Sequence, residues 1–166
     1  MNSIFSRRSI RRFKNKRIPD DALKKILIAA MCSPSANNSQ PWEYIVVRDR
    51  KTLDEITRVH PYTSMLRTAD MAIIVCGKPA GDPVYSYWSQ DCAASTQNIL
   101  LEAQELGIGT CWCGVFPREE RIAGIRKLFS IPEGFIPFSV IALGYPDESK
   151  PPNQRYIQEK IHYEKW

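Results

Sequence analysis

The apolar residues of the chain recur at two spacings, one typical of helices and the other of strands. Between Asp20 and Met31 they follow a helical period, which predicts a helix with Asp20 as its N-cap. Met71–Gly77 is a continuous apolar run rich in β-branched residues, as expected of a strand covered on both faces. Similar patterns predict strands at Glu43–Arg48, Thr110–Gly114 and Ile136–Leu143, and helices at Lys51–His60 and Arg118–Phe129.

The longest predicted helix runs from Val84 to Leu106, a segment without glycine or proline, and Gly107 is its natural stop. One stripe of this helix is apolar or small, which predicts that it packs in the core: Cys92, Thr96, Ile99, Ala103 and Leu106. Together with the predicted strands, these helices indicate an α+β fold.

Length and composition favour one globular domain over residues 1–166. The chain is 43% hydrophobic and 25% charged, and its apolar runs are too short to cross a bilayer. Its five cysteines form an odd set without a secretory signal, which argues against a disulfide framework. We therefore expect a cytoplasmic protein that is not bound to a membrane.

The net charge of +5 is concentrated at the amino terminus, where seven basic residues precede the first acid, Asp20. They are Arg7, Arg8, Arg11, Arg12, Lys14, Lys16 and Arg17. Such a cluster suits a nucleic-acid arm, a mitochondrial presequence or a phosphate site inside the fold. Composition alone leaves these three alternatives open.

Three further patterns bear on this choice. Arg7, Arg8, Ser9 and Arg11 place three guanidinium groups and a hydroxyl within reach of one phosphate. Pro34–Trp42 is a loop of serine, asparagine and glutamine whose amides could recognise the edge of a planar heterocycle. In Leu106–Phe116, the bare backbone at Gly114 would allow a flat ring to approach closely.

The order of these motifs resembles the nitroreductase family of flavoproteins over nearly the whole chain. The matching segments are Arg7–Arg11, Pro34–Trp42, Gly107–Gly114 and Leu143–Tyr145. The resemblance implies a nitroreductase-like α+β fold, with a mostly antiparallel central sheet surrounded by helices. It also implies an interlocked homodimer with two interfacial flavin mononucleotide (FMN) sites, and the Val84–Leu106 helix is our candidate for the interface core.

The resemblance also implies which residues bind FMN. Arg7, Arg8, Ser9 and Arg11 would hold its phosphate and flavin edge, and Arg155 is our choice for a later basic residue that reaches the phosphate. Pro34, Ser35, Ala36 and Asn38 would contact the flavin of the opposite subunit, with Gln40 supporting their loop. Cys113 and Gly114 would contribute backbone contacts. A further family contact falls between Pro61 and Ala69, where no residue aligns with it.

The implied activity is a ping-pong transfer of reducing equivalents from NAD(P)H, through FMN, to an electrophilic acceptor such as a nitroaromatic, quinone or enone. Solvent can supply protons to an open flavin face, so we nominate no catalytic residue, and the cysteine spacing fits no common metal site. Two alternatives stay open: a nucleic-acid-binding module, and a superfamily member that consumes its flavin. The apolar tail Arg155–Trp166 is expected to pack across a partner subunit.

Overall fold

Helices and strands alternate along most of the chain. The computed structural model describes residues 3–81, 86–152 and 155–166. The strands are β1 (Trp42–Val47), β2 (Met71–Gly77), β3 (Gly109–Gly114) and β4 (Ile136–Gly144). The helices are α1 (Ser3–Ser6), α2 (Asp20–Met31), α3 (Arg50–Val59), α4 (Trp88–Glu105) and α5 (Glu119–Phe129). Short 3₁₀ turns occupy Ala36–Asn38, Ser64–Arg67 and Gln158–Lys160.

The four strands form one antiparallel sheet in the order β1-β2-β4-β3. Ile74 of β2, for example, pairs with Ile45 of β1 on one side and with Val140 of β4 on the other. Helices cover both faces of the sheet, so every residue of β2 is buried and its apolar run is continuous. The predicted α+β class, with an antiparallel sheet surrounded by helices, is confirmed.

Alternate strand residues contribute to two hydrophobic clusters, one on each face of the sheet. Ile73 and Val75 pack with residues of α2 and α4, and we call this side the α2/α4 face. Ala72 and Ile74 pack with residues of α3 and α5, on the side we call the α3/α5 face. This alternation follows from the two-residue period of a strand.

The predicted helix Asp20–Met31 is confirmed over its whole length, but its predicted cap is wrong. Pro19 is the residue before the first turn, and among the described residues no side chain caps the helix there. Asp20 is already the first helical residue, and its carboxylate instead accepts a hydrogen bond of 3.1 Å from Arg48. The other predicted strands and shorter helices are present and differ only at their ends.

The long predicted helix is α4, which begins at Trp88. Its expected start at Val84 lies outside the described residues. Four members of the predicted stripe are buried, whereas Leu106 caps the helix and is half-buried. Gly107 follows with a φ of 71°, a left-handed conformation that suits glycine and ends the helix.

The basic amino-terminal segment lies along the outer edge of the sheet. Ser9 forms a parallel bridge with Thr110 of β3, and Phe13 forms an antiparallel bridge with Pro146. Close packing accompanies these bridges, since a Cβ added at Gly109 would lie 2.9 Å from the Cβ of Ile10. The segment's arginines are therefore held beside β3.

Candidate functional site

A cavity of about 440 Å³ opens beside β3. Its lining brings together three of the predicted site residues, Arg11, Cys113 and Gly114. The remaining lining residues come from β3, α5 and the segment after α3: His60, Pro61, Tyr62, Ser64, Met65, Cys111, Trp112 and Arg121. Several of these fall in Pro61–Ala69, where the family pattern left a position without a matching residue.

Gly114 presents its backbone to this cavity. Thr110 turns its carbonyl outward to accept a hydrogen bond of 2.9 Å from the Ile10 N–H. Backbone groups alternate in direction from one residue of a strand to the next, and Gly114 lies an even number of residues after Thr110. Its backbone groups therefore also point away from the partner strand β4. The Gly114 carbonyl then accepts hydrogen bonds from His60 Nε2 at 2.9 Å and from Arg121 Nη1 at 3.0 Å.

The chain's own packing does not require a glycine at position 114. A Cβ built there would have the Phe116 carbonyl oxygen as its nearest neighbour, at 4.0 Å, and the φ of Gly114 is not positive. At Gly109, on the same strand, the corresponding Cβ would press against Ile10. Gly114, which is among the residues lining the cavity, therefore leaves the space around its Cα unfilled, as a close approach by a flat ligand to its backbone would need.

His60 is buried next to Gly114 and was not identified from the sequence. Its Nδ1 accepts the Tyr62 N–H at 3.3 Å, which leaves Nε2 to donate to the Gly114 carbonyl. Burial lowers the pKa of His60, and the nearby charge of Arg121 lowers it further. The imidazole is therefore neutral near pH 7 and holds the backbone at the cavity edge.

The predicted phosphate-binding residues form a basic cluster next to this edge. The Ser9 carbonyl accepts a hydrogen bond of 2.6 Å from Lys150 Nζ, and the Arg8 guanidinium donates to the Pro151 carbonyl. Glu148 accepts the Arg11 N–H at 2.5 Å and lies 3.3 Å from Lys150. The hydrogen bond from the Arg11 backbone is the main cause of the lowered pKa of Glu148.

Lys150, rather than Arg155, is the later basic residue that the structure places in this cluster. Arg155 is exposed and makes no hydrogen bond or ion pair with any described residue, so its role stays a prediction. The signal for Lys150 was present in the sequence, since it also follows the Leu143–Tyr145 strand end. The sequence alone could not decide between Lys150 and Arg155, because the choice depends on the path of the chain after Tyr145.

The Pro34–Gln40 loop lies on the α2/α4 face. Its Ala36 N–H donates to the Asp91 carboxylate of α4 at 3.0 Å. Gln40 supports the loop, since its side chain donates to Asn38 Oδ1 and its backbone N–H donates to Ser35 Oγ, both at 3.0 Å. Asn38 and Gln40 have positive φ values of 52° and 46°, so the loop is held in a specific, unusual backbone conformation.

Within one chain, the loop and the cavity are separate surfaces. Cys111 and Cys113 belong to the cluster on the α3/α5 face, whereas the loop is tied to α4 on the opposite face. The loop lines a different cavity of about 530 Å³, and no described residue lines both.

No described helix is long and apolar enough to span a membrane.

The fold agrees with comparisons to known proteins. The Nitroreductase family model matches residues 4–60 and 57–145, and the chain belongs to this family. A relative from Methanothermobacter thermautotrophicus is 49% identical over 166 residues, covering 100% of this chain and 87% of the relative. That protein carries the provisional name NADH dehydrogenase/NAD(P)H nitroreductase.

Two solved structures extend this similarity. A crystal structure from Clostridium acetobutylicum, provisionally named an NADH oxidase, has a TM-score of 0.94, 39% identity and 99% coverage of both chains. A provisionally named nitroreductase from Desulfovibrio desulfuricans, solved in complex with FMN, has a TM-score of 0.82 and 28% identity. The match covers 99% of this chain and 95% of that one.

Proposed function

We propose that this protein is an FMN-dependent oxidoreductase that passes reducing equivalents from NAD(P)H to a small electrophilic acceptor, such as a nitroaromatic, quinone or enone. Residues 1–166 would form a single FMN-binding domain that acts in the cytoplasm as a homodimer. Family membership and the NAD(P)H-related names of its relatives support the reaction class. The FMN complex of a structural neighbour supports the cofactor.

The cavity beside Gly114 is the observation that carries this proposal. It offers a glycine whose Cβ position is open, with Arg11 and Arg121 on its lining. The Arg121 guanidinium is held beside the cavity by its hydrogen bond of 3.0 Å to the Gly114 carbonyl. These features fit a flat, polar, anionic group such as FMN.

The residues around the cavity would divide the binding of FMN among them. Arg7, Arg8, Ser9 and Lys150 would hold the phosphate by charge-assisted hydrogen bonds. Gly114 and Cys113 would contact the ring, and Arg11 would stabilise negative charge on it through proximity. The flavin, when bound, would supply the redox chemistry in a ping-pong sequence.

The separation of the loop and the cavity within one chain supports the proposed homodimer. Pro34, Ser35, Ala36 and Asn38 would reach the flavin of a partner subunit, because their own cavity lies across the sheet. Exposed apolar side chains in the tail would pack on that partner: Tyr156, Ile157, Ile161, Tyr163 and Trp166. A folded monomer that retains FMN would contradict this arrangement.

The first test is the visible absorption spectrum of the purified protein, followed by anaerobic addition of NADH and then NADPH. We expect flavin bands that bleach with at least one nicotinamide donor and recover when an electrophilic acceptor is added. A colourless protein that takes up no added FMN would refute the cofactor. Flavin bands that persist with both nicotinamides would refute the donor alone.

A further inference from the structure

Two recesses lead away from the cavity that we assign to FMN. The first, of about 390 Å³, shares Arg11, Ser64 and Met65 with the lining of that cavity. The second, also of about 390 Å³, shares Phe13 and Arg67 with the first. We call the two recesses together the basic groove, which begins at the cavity and follows the amino-terminal segment of the chain.

Some of the basic residues in this groove are already neutralised by carboxylates. Arg48 forms an ion pair of 2.9 Å with Asp70, which also lines the groove. Arg50 forms an ion pair of 3.3 Å with Asp54. These two arginines therefore contribute little charge for a ligand.

Three other basic side chains of the groove keep their charge available. Arg12, Lys14 and Arg67 are exposed, and none forms an ion pair with a described residue. Arg12 donates a hydrogen bond of 3.1 Å to the Asp147 carbonyl, which holds its guanidinium in place and leaves most of its N–H groups free. Arg67 lines both recesses, and its side chain makes no hydrogen bond with any described residue. The groove therefore offers several cationic donors to an anion.

We propose that the basic groove binds the 2′-phosphate of NADPH and so makes NADPH, rather than NADH, the preferred electron donor. This inference rests on the proposed function, because the nicotinamide ring must reach the flavin in the cavity. The adenosine end of the donor then lies outside the cavity, and the groove is the adjoining recess. The 2′-phosphate is the group by which the two donors differ, and a phosphate monoester carries nearly two negative charges near pH 7.

The charges along the groove decide between the two donors. Arg12 and Arg67 would hold the 2′-phosphate by charge-assisted hydrogen bonds, and Lys14 would add attraction from further along. Asp147 lines the first recess and opposes this preference, since a carboxylate repels a phosphate and can accept a hydrogen bond from the ribose 2′-hydroxyl of NADH. Three available cations outweigh this carboxylate, so the balance favours the phosphate.

The first test measures binding without any redox step. Adenosine 2′,5′-bisphosphate is titrated into the full chain by isothermal titration calorimetry, beside adenosine 5′-monophosphate, which lacks the 2′-phosphate. We expect the bisphosphate to bind at least about tenfold more tightly, because it adds hydrogen bonds between charged groups. Its affinity should fall as the salt concentration is raised, since the groove is open to solvent.

The second test compares substitutions in the groove with one outside it. Arg12→Ala and Arg67→Ala should each lower the affinity for the bisphosphate, and the ratio of kcat/KM for NADPH to that for NADH, by about tenfold. Asp147→Asn should raise this ratio. Arg58→Ala is the matched control, because Arg58 is exposed on α3 and lines neither the groove nor the cavity. Thermal unfolding of each variant checks that the fold is kept.

The outcomes separate this inference from the proposed function. The inference is overturned if the two adenosine probes bind equally or not at all, if Arg67→Ala behaves like Arg58→Ala, or if NADH reduces the flavin as efficiently as NADPH. None of these results contradicts FMN-dependent redox activity. A flavin that neither nicotinamide reduces would refute the proposed donor and, with it, the preference for NADPH, even where the bisphosphate binds.

Discussion

The two faces of the sheet carry different kinds of functional surface. On the α3/α5 face, the cavity combines buried and exposed residues, and the buried His60 together with Arg121 fixes the Gly114 carbonyl. On the α2/α4 face, the loop is largely exposed and is held mainly by its own hydrogen bonds, such as that from Gln40 to Asn38. One face therefore carries a recess beside a backbone carbonyl fixed by two side chains, and the other carries an exposed loop that lines a recess of its own.

This difference bears on how two separate surfaces of the chain could bind the same ligand. The family resemblance assigns both surfaces to FMN, yet a single chain turns them to opposite sides of its sheet. Two copies related by a two-fold axis would place the loop of each at the cavity of the other. The predictions below separate the contribution of the cavity from that of the loop face.

Removing the cavity's positive charge should have the largest effect on FMN. Arg11→Ala is expected to weaken FMN binding by about tenfold or more, since a hydrogen bond to a charged group contributes roughly 1.5–3 kcal/mol. The reduction potential of the flavin should also fall, because the variant lacks a positive charge that stabilises the anionic reduced form. Fluorescence titration and anaerobic potentiometry measure the two effects.

Arg17→Ala is the matched control on the α2/α4 side. Arg17 lies 3.8 Å from Asp20 at the start of α2 and does not line the cavity. Its replacement should leave both FMN affinity and potential unchanged. Equal effects of the two substitutions would mean that only the overall charge matters, and the role assigned to Arg11 would be wrong.

The two glycines of β3 should respond in opposite ways to alanine. Gly114→Ala places its Cβ in open space, so it should leave the free energy of unfolding of the FMN-free protein nearly unchanged and weaken FMN binding by about tenfold. Gly109→Ala presses on Ile10 and should destabilise the fold by about 1–3 kcal/mol. Chemical denaturation and FMN titration of both variants test this contrast, and a destabilised Gly114→Ala with normal affinity would contradict it.

The smallest effect concerns His60 and pH. Its folded-state pKa lies below the unfolded value of about 6.5, so protonation favours the unfolded chain. The stability of the wild type should therefore decrease as the pH falls below about 6.5, with an added slope of at most about 1.4 kcal/mol per pH unit. Denaturation curves from pH 7 to 5 should show this slope in the wild type and lack it in His60→Gln. If the wild type and His60→Gln lost stability with equal slopes, His60 would not be the buried neutral group that causes this pH dependence.

Local sequence patterns predicted most of the fold because its elements have clear periods. Met71–Gly77 is apolar throughout, and it is the strand covered on both faces. The N-cap at Asp20 was wrong because a tertiary partner, Arg48, competes for the carboxylate. Local pattern could not reveal a contact between residues so distant in sequence.

The site was predicted only where motif order identified it. Arg11, Cys113 and Gly114 do line one cavity, although their role in binding FMN stays a proposal. His60, Arg121 and Lys150 were missed because packing of α3, α5 and the segment after β4 brings them there. A lone histidine or arginine in a sequence gives no indication of such a contact.

The most direct test of the account mixes two defective chains. Gly114→Val should close the cavity, and Asn38→Pro should break the loop, because proline cannot adopt the φ of 52° found there. Each variant alone is expected to bind no FMN. Co-expressed with different affinity tags and purified as heterodimers, they should bind one FMN per dimer, in the site made from the intact cavity of one chain and the intact loop of the other. Heterodimers without FMN, measured beside a wild-type dimer that binds two, would contradict a site shared between subunits.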